Sequence, residues 1–225
     1  MTARLKGAAV GTLAALAAAA GAVWPYDQPA DVTADELLKR VSARYDAAND
    51  FRAELTVVAS SALGESITQA GTLFVRQPNL FRLEYQTPTP QTVIFDGAYM
   101  YVVTPGYSQV LRYEGGGMGR LLNLARALDE LQPAYDVALA GATGGGTYEL
   151  HLTATTADAF FPRIVMWVDR EESVLTRADL YDAAGNTTSY RFGAYRFDVG
   201  VPAANFRYEP APGTEVVDAG SAVGP

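Results

Sequence analysis

Apolar residues recur along the chain with two different periods, and the switch between them divides it into elements. Leu37, Val41, Tyr45 and Ala48 fall every three or four positions on one side, with Lys39, Arg40 and Asp46 elsewhere. This is helical spacing, and it leaves one face that must lie on something apolar. Thr33-Ala34-Asp35-Glu36 marks the start: a hydroxyl followed three residues later by a carboxylate can satisfy the first free N–H groups of a helix. From Phe51 the period drops to two. Phe51, Ala53, Leu55 and Val57 alternate with Arg52, Glu54 and Thr56, the pattern of a strand with one buried face.

Similar short runs follow over 67–75, 80–85, 92–95, 99–103 and 109–113, divided by turn signals such as Asp96-Gly97 and Thr104-Pro105-Gly106. Gly115-Gly116-Gly117-Met118-Gly119 interrupts them as a hinge, and Leu121, Leu124, Ala125, Leu128 and Leu131 then return to helical spacing before Pro133. Strand-like runs resume over 135–139, 148–155, 163–169, 174–181 and 188–197, with turns at Gly144-Gly145-Gly146 and Gly185-Asn186. About eleven strands and two amphipathic helices predict an α+β fold, a strongly curved antiparallel meander with helices over its concave face.

The first residues belong to neither pattern. Arg4 and Lys6 precede an alanine-rich apolar run from Ala8 to Ala20 with small-residue cleavage patterns at its end, which reads as a secretory signal peptide. The predicted organisation is signal peptide 1–22, leader 23–32, one domain over 33–218 and a flexible tail over 219–225.

Charge narrows the partners. The 225 residues carry 17 Lys and Arg against 25 Asp and Glu, a net charge of −8. Loss of residues 1–22 makes it −10. Neither nucleic acid nor an anionic membrane is drawn to such a chain, since both need a basic footprint. With no cysteine there is no disulfide, thiolate nucleophile, Cys-held metal or lipidation site.

His151, the single histidine, sits in a strand-like run and reads as a sheet residue, and no G-x-S-x-G elbow occurs. The glycines of 141–146 lack the lysine of a phosphate loop. Asp169, Glu171 and Glu172 read as a charged turn, and Asn186-Thr187-Thr188, although a glycosylation sequon, as another. No enzyme, cofactor or metal site is predicted. What remains is a large supply of apolar side chains, able to form a packed core or a cavity.

Gly71-Thr72-Leu73-Phe74-Val75-Arg76-Gln77-Pro78-Asn79-Leu80-Phe81-Arg82, followed by Tyr85, Pro88, Gln91 and Asp96-Gly97, resembles the LolA family of periplasmic outer-membrane lipoprotein carriers. The early helix, the Leu121-Leu122 helix and the closing Pro202-x-x-Asn205-Phe206-x-Tyr208-x-Pro210-x-x-Gly213 block stand in the family's order. The resemblance implies an incomplete β-barrel with helices as a lid over an apolar cavity, and a monomeric periplasmic carrier without covalent chemistry. Its cargo would be triacylated lipoproteins, taken from an inner-membrane ABC-type releasing complex and passed to an outer-membrane receptor. Leu37, Val41, Leu55, Phe74, Phe81, Leu83, Leu121, Leu124 and Leu128 become the expected cavity and lid residues.

The family's lid-latching arginine falls at Gln77, with Arg76 one place earlier. By strand alternation the two point to opposite faces, so either could serve as latch. Two other uses of the same fold stand beside the carrier: a lipid or glycolipid shuttle, and an envelope-stress sensor domain.

Overall fold

A computed structural model describes residues 26–28, 32–115 and 134–221. The capping box forms as predicted. The Thr33 hydroxyl accepts from Glu36 N, the Glu36 carboxylate accepts from Thr33 N, and helix α1 (Ala34–Asp46) follows. Neighbouring Thr33 lowers the Glu36 pKa through those hydrogen bonds.

All eleven expected strands are present. They are β2 (Asp50–Ser60), β3 (Ser66–Arg76), β4 (Leu80–Thr87), β5 (Gln91–Phe95), β6 (Tyr99–Val103), β7 (Gln109–Glu114), β8 (Tyr135–Thr143), β9 (Thr147–Ala154), β10 (Arg163–Asp169), β11 (Leu175–Tyr181) and β12 (Thr187–Phe197). Two more lie at the ends: β1 (Tyr26–Gln28) within the expected leader, and β13 (Glu215–Ser221), which extends into the expected loose tail. The second predicted helix, with Leu121, Leu124 and Leu128, and the signal peptide lie outside the described residues.

The sheet order is β1-β8-β9-β10-β11-β12-β2-β3-β4-β5-β6-β7-β13. A simple meander is therefore corrected to two meanders, β2–β7 and β8–β12, joined where β12 pairs antiparallel with β2. The order is linear, with β1 and β13 as margins, so the sheet curves without closing.

Strand alternation sorts the side chains. Phe51, Leu55, Leu73, Val75, Phe81, Leu83, Leu150, Met166 and Leu180 are buried in one cluster on the concave face, with Leu37, Leu38, Val41 and Tyr45 of α1. Gly71 has a steric reason to be glycine: a Cβ there would stand 2.1 Å from the Glu84 carbonyl oxygen of the neighbouring strand.

A strap from Asp198 to Thr214, including a 3-10 turn over Ala203–Phe206, leads from β12 to β13. It is tied to the convex side of the sheet. Arg82 Nη1 donates to the Asn205 carbonyl (3.2 Å), Tyr101 packs against Tyr208, and Phe206 is buried. The strap delivers β13 parallel to β7, whereas the other strands pair antiparallel.

Candidate functional site

The concave face is the candidate site, and the two ends of the curved sheet treat it differently. At one end lie the turns that follow β3, β5, β8 and β10, together with the C-terminus of α1. At the other lie the turns that follow β2, β4, β6, β9 and β11.

The helix end is pinned by hydroxyls. Tyr45, in the last turn of α1, accepts from Leu175 N (3.1 Å) and donates to the Tyr195 hydroxyl (3.0 Å), which donates onward to the Leu175 carbonyl (2.8 Å). Leu175 is thus held through both backbone groups by two tyrosines. Around them Tyr45, Phe51, Tyr195 and Phe197 form edge, tilted and stacked ring pairs 5.3–6.1 Å apart, and Arg44 lies 3.5 Å from the Phe197 ring centre. Burial pushes the Tyr45 pKa up to about 12 and that of Tyr195 well above its usual value. Nearby, the buried Asp50 carboxylate accepts from Gly200 N (3.0 Å) and Val201 N (3.1 Å), anchoring the strap.

Arg76 and Gln77 separate as alternation requires. Arg76 Nη1 donates to the Val201 carbonyl of the strap (2.7 Å) and lies 3.9 Å from Asp50. Gln77 Nε2 donates to the Tyr45 carbonyl at the end of α1 (3.4 Å), a long and weak bond. Of the two possible latch residues, only Gln77 reaches the helix.

Leu37, Val41, Leu55, Phe81 and Leu83 come together as expected, all buried on the concave side, with Phe95 stacked on Phe81 at 5.6 Å. Phe74 does not join them. It pairs across the strands with Arg52 and Arg82, on the opposite face from Leu73 and Val75. The run Leu73-Phe74-Val75 is apolar throughout, so composition hides its parity and only register resolves it.

The far end is open and apolar. Leu63 is 93% exposed, Tyr107 73%, Ile67 63% and Phe160 47%. A cavity of about 370 Å³ opens there among Ala59, Ile67, Phe161 and Leu180, with Glu65 and Asp182 also in its lining. Asp182 holds the hairpin behind it, accepting from Asn186 Nδ2 (2.7 Å), Asn186 N (2.8 Å) and Ala184 N (2.9 Å), and these bonds lower its pKa. Alternation marks Ile67 only as apolar, so this cluster was missed in the sequence: its exposure follows from lying at a hairpin tip.

Polar chemistry lies on the convex side. His151 Nε2 pairs with Glu149 Oε1 (2.6 Å), and Glu149 Oε2 accepts from Trp167 Nε1 (3.0 Å). Among the described residues no group of three or more His, Asp or Glu could hold a metal ion.

The family model for the outer membrane lipoprotein carrier protein LolA matches residues 53–209, from β2 to the strap. The chain belongs to the LolA family. Its relatives include the outer-membrane lipoprotein carrier protein of Xanthomonas axonopodis pv. citri, 31% identical over 67% of this chain and 72% of that protein. The one from Chromobacterium violaceum is 29% identical over 92% and 95%. Among solved structures, an uncharacterized conserved protein from Thermus thermophilus superposes with a TM-score of 0.56 at 13% identity, over 82% of this chain and 98% of that one. Its likeness concerns fold alone. The unclosed, curved sheet is the incomplete barrel of the LolA family, with one helix among the described residues laid into it.

Proposed function

We propose that the protein is a periplasmic carrier that shields the acyl chains of triacylated lipoproteins on its concave face. It takes them from an inner-membrane ABC-type releasing complex and yields them to an outer-membrane receptor. The observation that carries this reading is an apolar layer under α1 within a sheet whose two margins, β1 and β13, pair with no further strand among the described residues, so the interior can widen without breaking a described strand pair. Each methylene moved from water into that layer contributes about 0.8 kcal/mol.

In this conformation Leu37, Val41, Leu55, Phe81 and Leu83 occupy the space themselves. Loading has to displace α1, and the cost of doing so offsets part of the gain. A carrier benefits from that offset, because cargo held at full strength would not be released. The tyrosine pin makes the end of α1 near Leu175 the hinge, and the far-end cavity beside Ile67 and Leu180 is where acyl chains enter. Gln77, bonded to the Tyr45 carbonyl, sets the stiffness of that hinge.

The test is to incubate the protein lacking residues 1–22 with spheroplasts that hold labelled triacylated lipoproteins, then to size the supernatant. Soluble one-to-one complexes containing label are expected. If only free phospholipid or glycolipid co-elutes, the carrier reading fails in favour of a lipid shuttle. If nothing co-elutes, it fails outright.

A further inference from the structure

A second opening lies on the opposite side of the sheet from the acyl chains, where Tyr101 of β6 meets Tyr208 of the strap. It is a groove of about 550 Å³ between the turn after β5 and the strap, lined by Asp96, Ala98, Tyr99, Tyr101, Arg207, Tyr208 and Glu209. That volume falls within the range of about 300–1,000 Å³ usual for small-molecule sites. Three half-buried tyrosine rings form its wall, Tyr101 with Tyr208 at 5.2 Å and Tyr99 with Tyr101 at 6.5 Å. We propose that this groove binds a neutral saccharide.

Charge accounting selects that class. Asp96 is committed to its own turn, where Oδ1 accepts from Ala98 N (2.9 Å) and Tyr99 N (2.8 Å). Arg112, whose guanidinium lies 4.8 Å from the Tyr99 ring centre, is committed to both oxygens of Asp218. Arg207 and Glu209 are exposed, and their charged ends meet no partner among the described residues. With the Asp96 carboxylate, whose charge its turn does not cancel, the groove carries one positive and two negative groups, which disfavours an anion, while Arg207 needs an acceptor that an ammonium group cannot offer.

Their hydrogen-bonding characters differ. The guanidinium only donates, the carboxylate only accepts, and the tyrosine hydroxyls do both. A matching ligand must accept from Arg207, donate to Glu209 and lay an apolar face on the rings, whose bodies are apolar and whose tips are polar. A pyranose meets all three conditions, with ring C–H groups on its faces and hydroxyls around its edge. A polyproline segment would suit the rings but has no N–H for Glu209.

The full chain, isotopically labelled, would be titrated in separate NMR experiments with the N-acetylglucosamine tetramer, with a neutral O-antigen oligosaccharide released from lipopolysaccharide and with decaproline. The first two probes distinguish a wall glycan from a lipopolysaccharide sugar as the source. Saturable shifts at Tyr99, Tyr101 and Tyr208 with a Kd of about 1 mM or tighter are expected for at least one saccharide. Arg207→Ala and Glu209→Ala, exposed changes that leave thermal stability intact, should each weaken it about tenfold. Tyr208→Ala should abolish it. The proposal is overturned by no saturable response to either saccharide at about 10 mM, by affinity unchanged in the Arg207 and Glu209 variants, or by preferential binding of decaproline.

Discussion

The two ends of the sheet show how one fold can be fixed and open at once. At the helix end, Tyr45, Tyr195, Asp50 and Gln77 join α1, β11, the strap and the turn after β3 through bonds between distant parts of the chain. At the far end, Asp182 binds within its own hairpin, a single bond from Ala62 N to Asn186 Oδ1 (3.1 Å) links that hairpin to the turn after β2, and Leu63, Ile67, Tyr107 and Phe160 face solvent. A network of long-range polar bonds resists local opening, whereas sparsely bonded tips with apolar side chains leave room for a partner or cargo. Rigidity and access are therefore separated along the strand direction.

Alkali should break the contrast most completely. Tyrosine ionises near pH 10 when unfolded, and in the folded protein burial raises the pKa of Tyr45 to about 12, as it does that of Tyr190, and that of Tyr195 well above 10. A raised folded pKa means a contribution fully present below about pH 10 and lost as pH climbs toward 12. Cooperative unfolding in that window, with tyrosinate absorbance appearing together with loss of circular dichroism, is expected. A gradual rise in absorbance with the fold intact would show that the pin does not hold this end.

Acid acts on the other side. Asp182 and Glu36 have lowered pKa values, so what they contribute is present above the ordinary carboxylate range and is lost as pH falls through their folded values. Amide exchange should rise first at residues 182–186 and at the start of α1, while the backbone amide of Leu175 stays protected.

Tyr45→Phe keeps the ring but leaves the Leu175 N–H and the Tyr195 hydroxyl without their partner, and should cost about 2–3 kcal/mol in denaturant unfolding. Combining it with Tyr195→Phe should cost less than the two single changes together, as expected for members of one network. Strict additivity would show that the hydroxyls act independently.

Gln77→Arg sharpens the comparison from the same end. A charged fork at the C-terminus of α1 should stabilise the helix by about 0.3–1 kcal/mol. If α1 must move for loading, lipoprotein uptake should fall about two- to fivefold. Unchanged uptake in a stabilised variant would remove Gln77 from the loading step.

Leu63→Asp should give the smallest change in stability, within about 0.5 kcal/mol, because the side chain is already in water. Uptake that survives Leu63→Asp and Ile67→Asp would close the far end as an entrance.

What the sequence reveals follows from what is local. The capping box at Thr33 and the alternation at Phe51, Ala53 and Leu55 are properties of a few adjacent residues, and the corresponding elements form where they point. β13 was not legible: Glu215-Val216-Val217-Asp218 is too short a run between Gly213 and Gly220, and it becomes a strand because the strap carries it alongside β7. The β12–β2 join, the partner of Arg76 on the strap and the bonds among Tyr45, Tyr195 and Leu175 depend on which distant segments meet, and residue periodicity carries no record of that. The same separation applies to the site. Leu37, Val41, Leu55, Phe81 and Leu83 were readable as one buried face, whereas the exposed position of Ile67 and the outward turn of Phe74 required the register.

The join between the two meanders also governs how the chain reaches this state. Hairpins such as β2–β3 and β9–β10 connect near neighbours, but Ser60 pairs with Thr187, 127 residues further on. Closing so long a loop costs entropy before any contact offsets it, and sheets that rely on distant pairings form slowly. During synthesis, the first meander emerges with β2 as an unpaired edge and stays so until β12 arrives. That waiting edge is a template for intermolecular pairing, so the newly made chain needs protection from its own copies until its second half has followed.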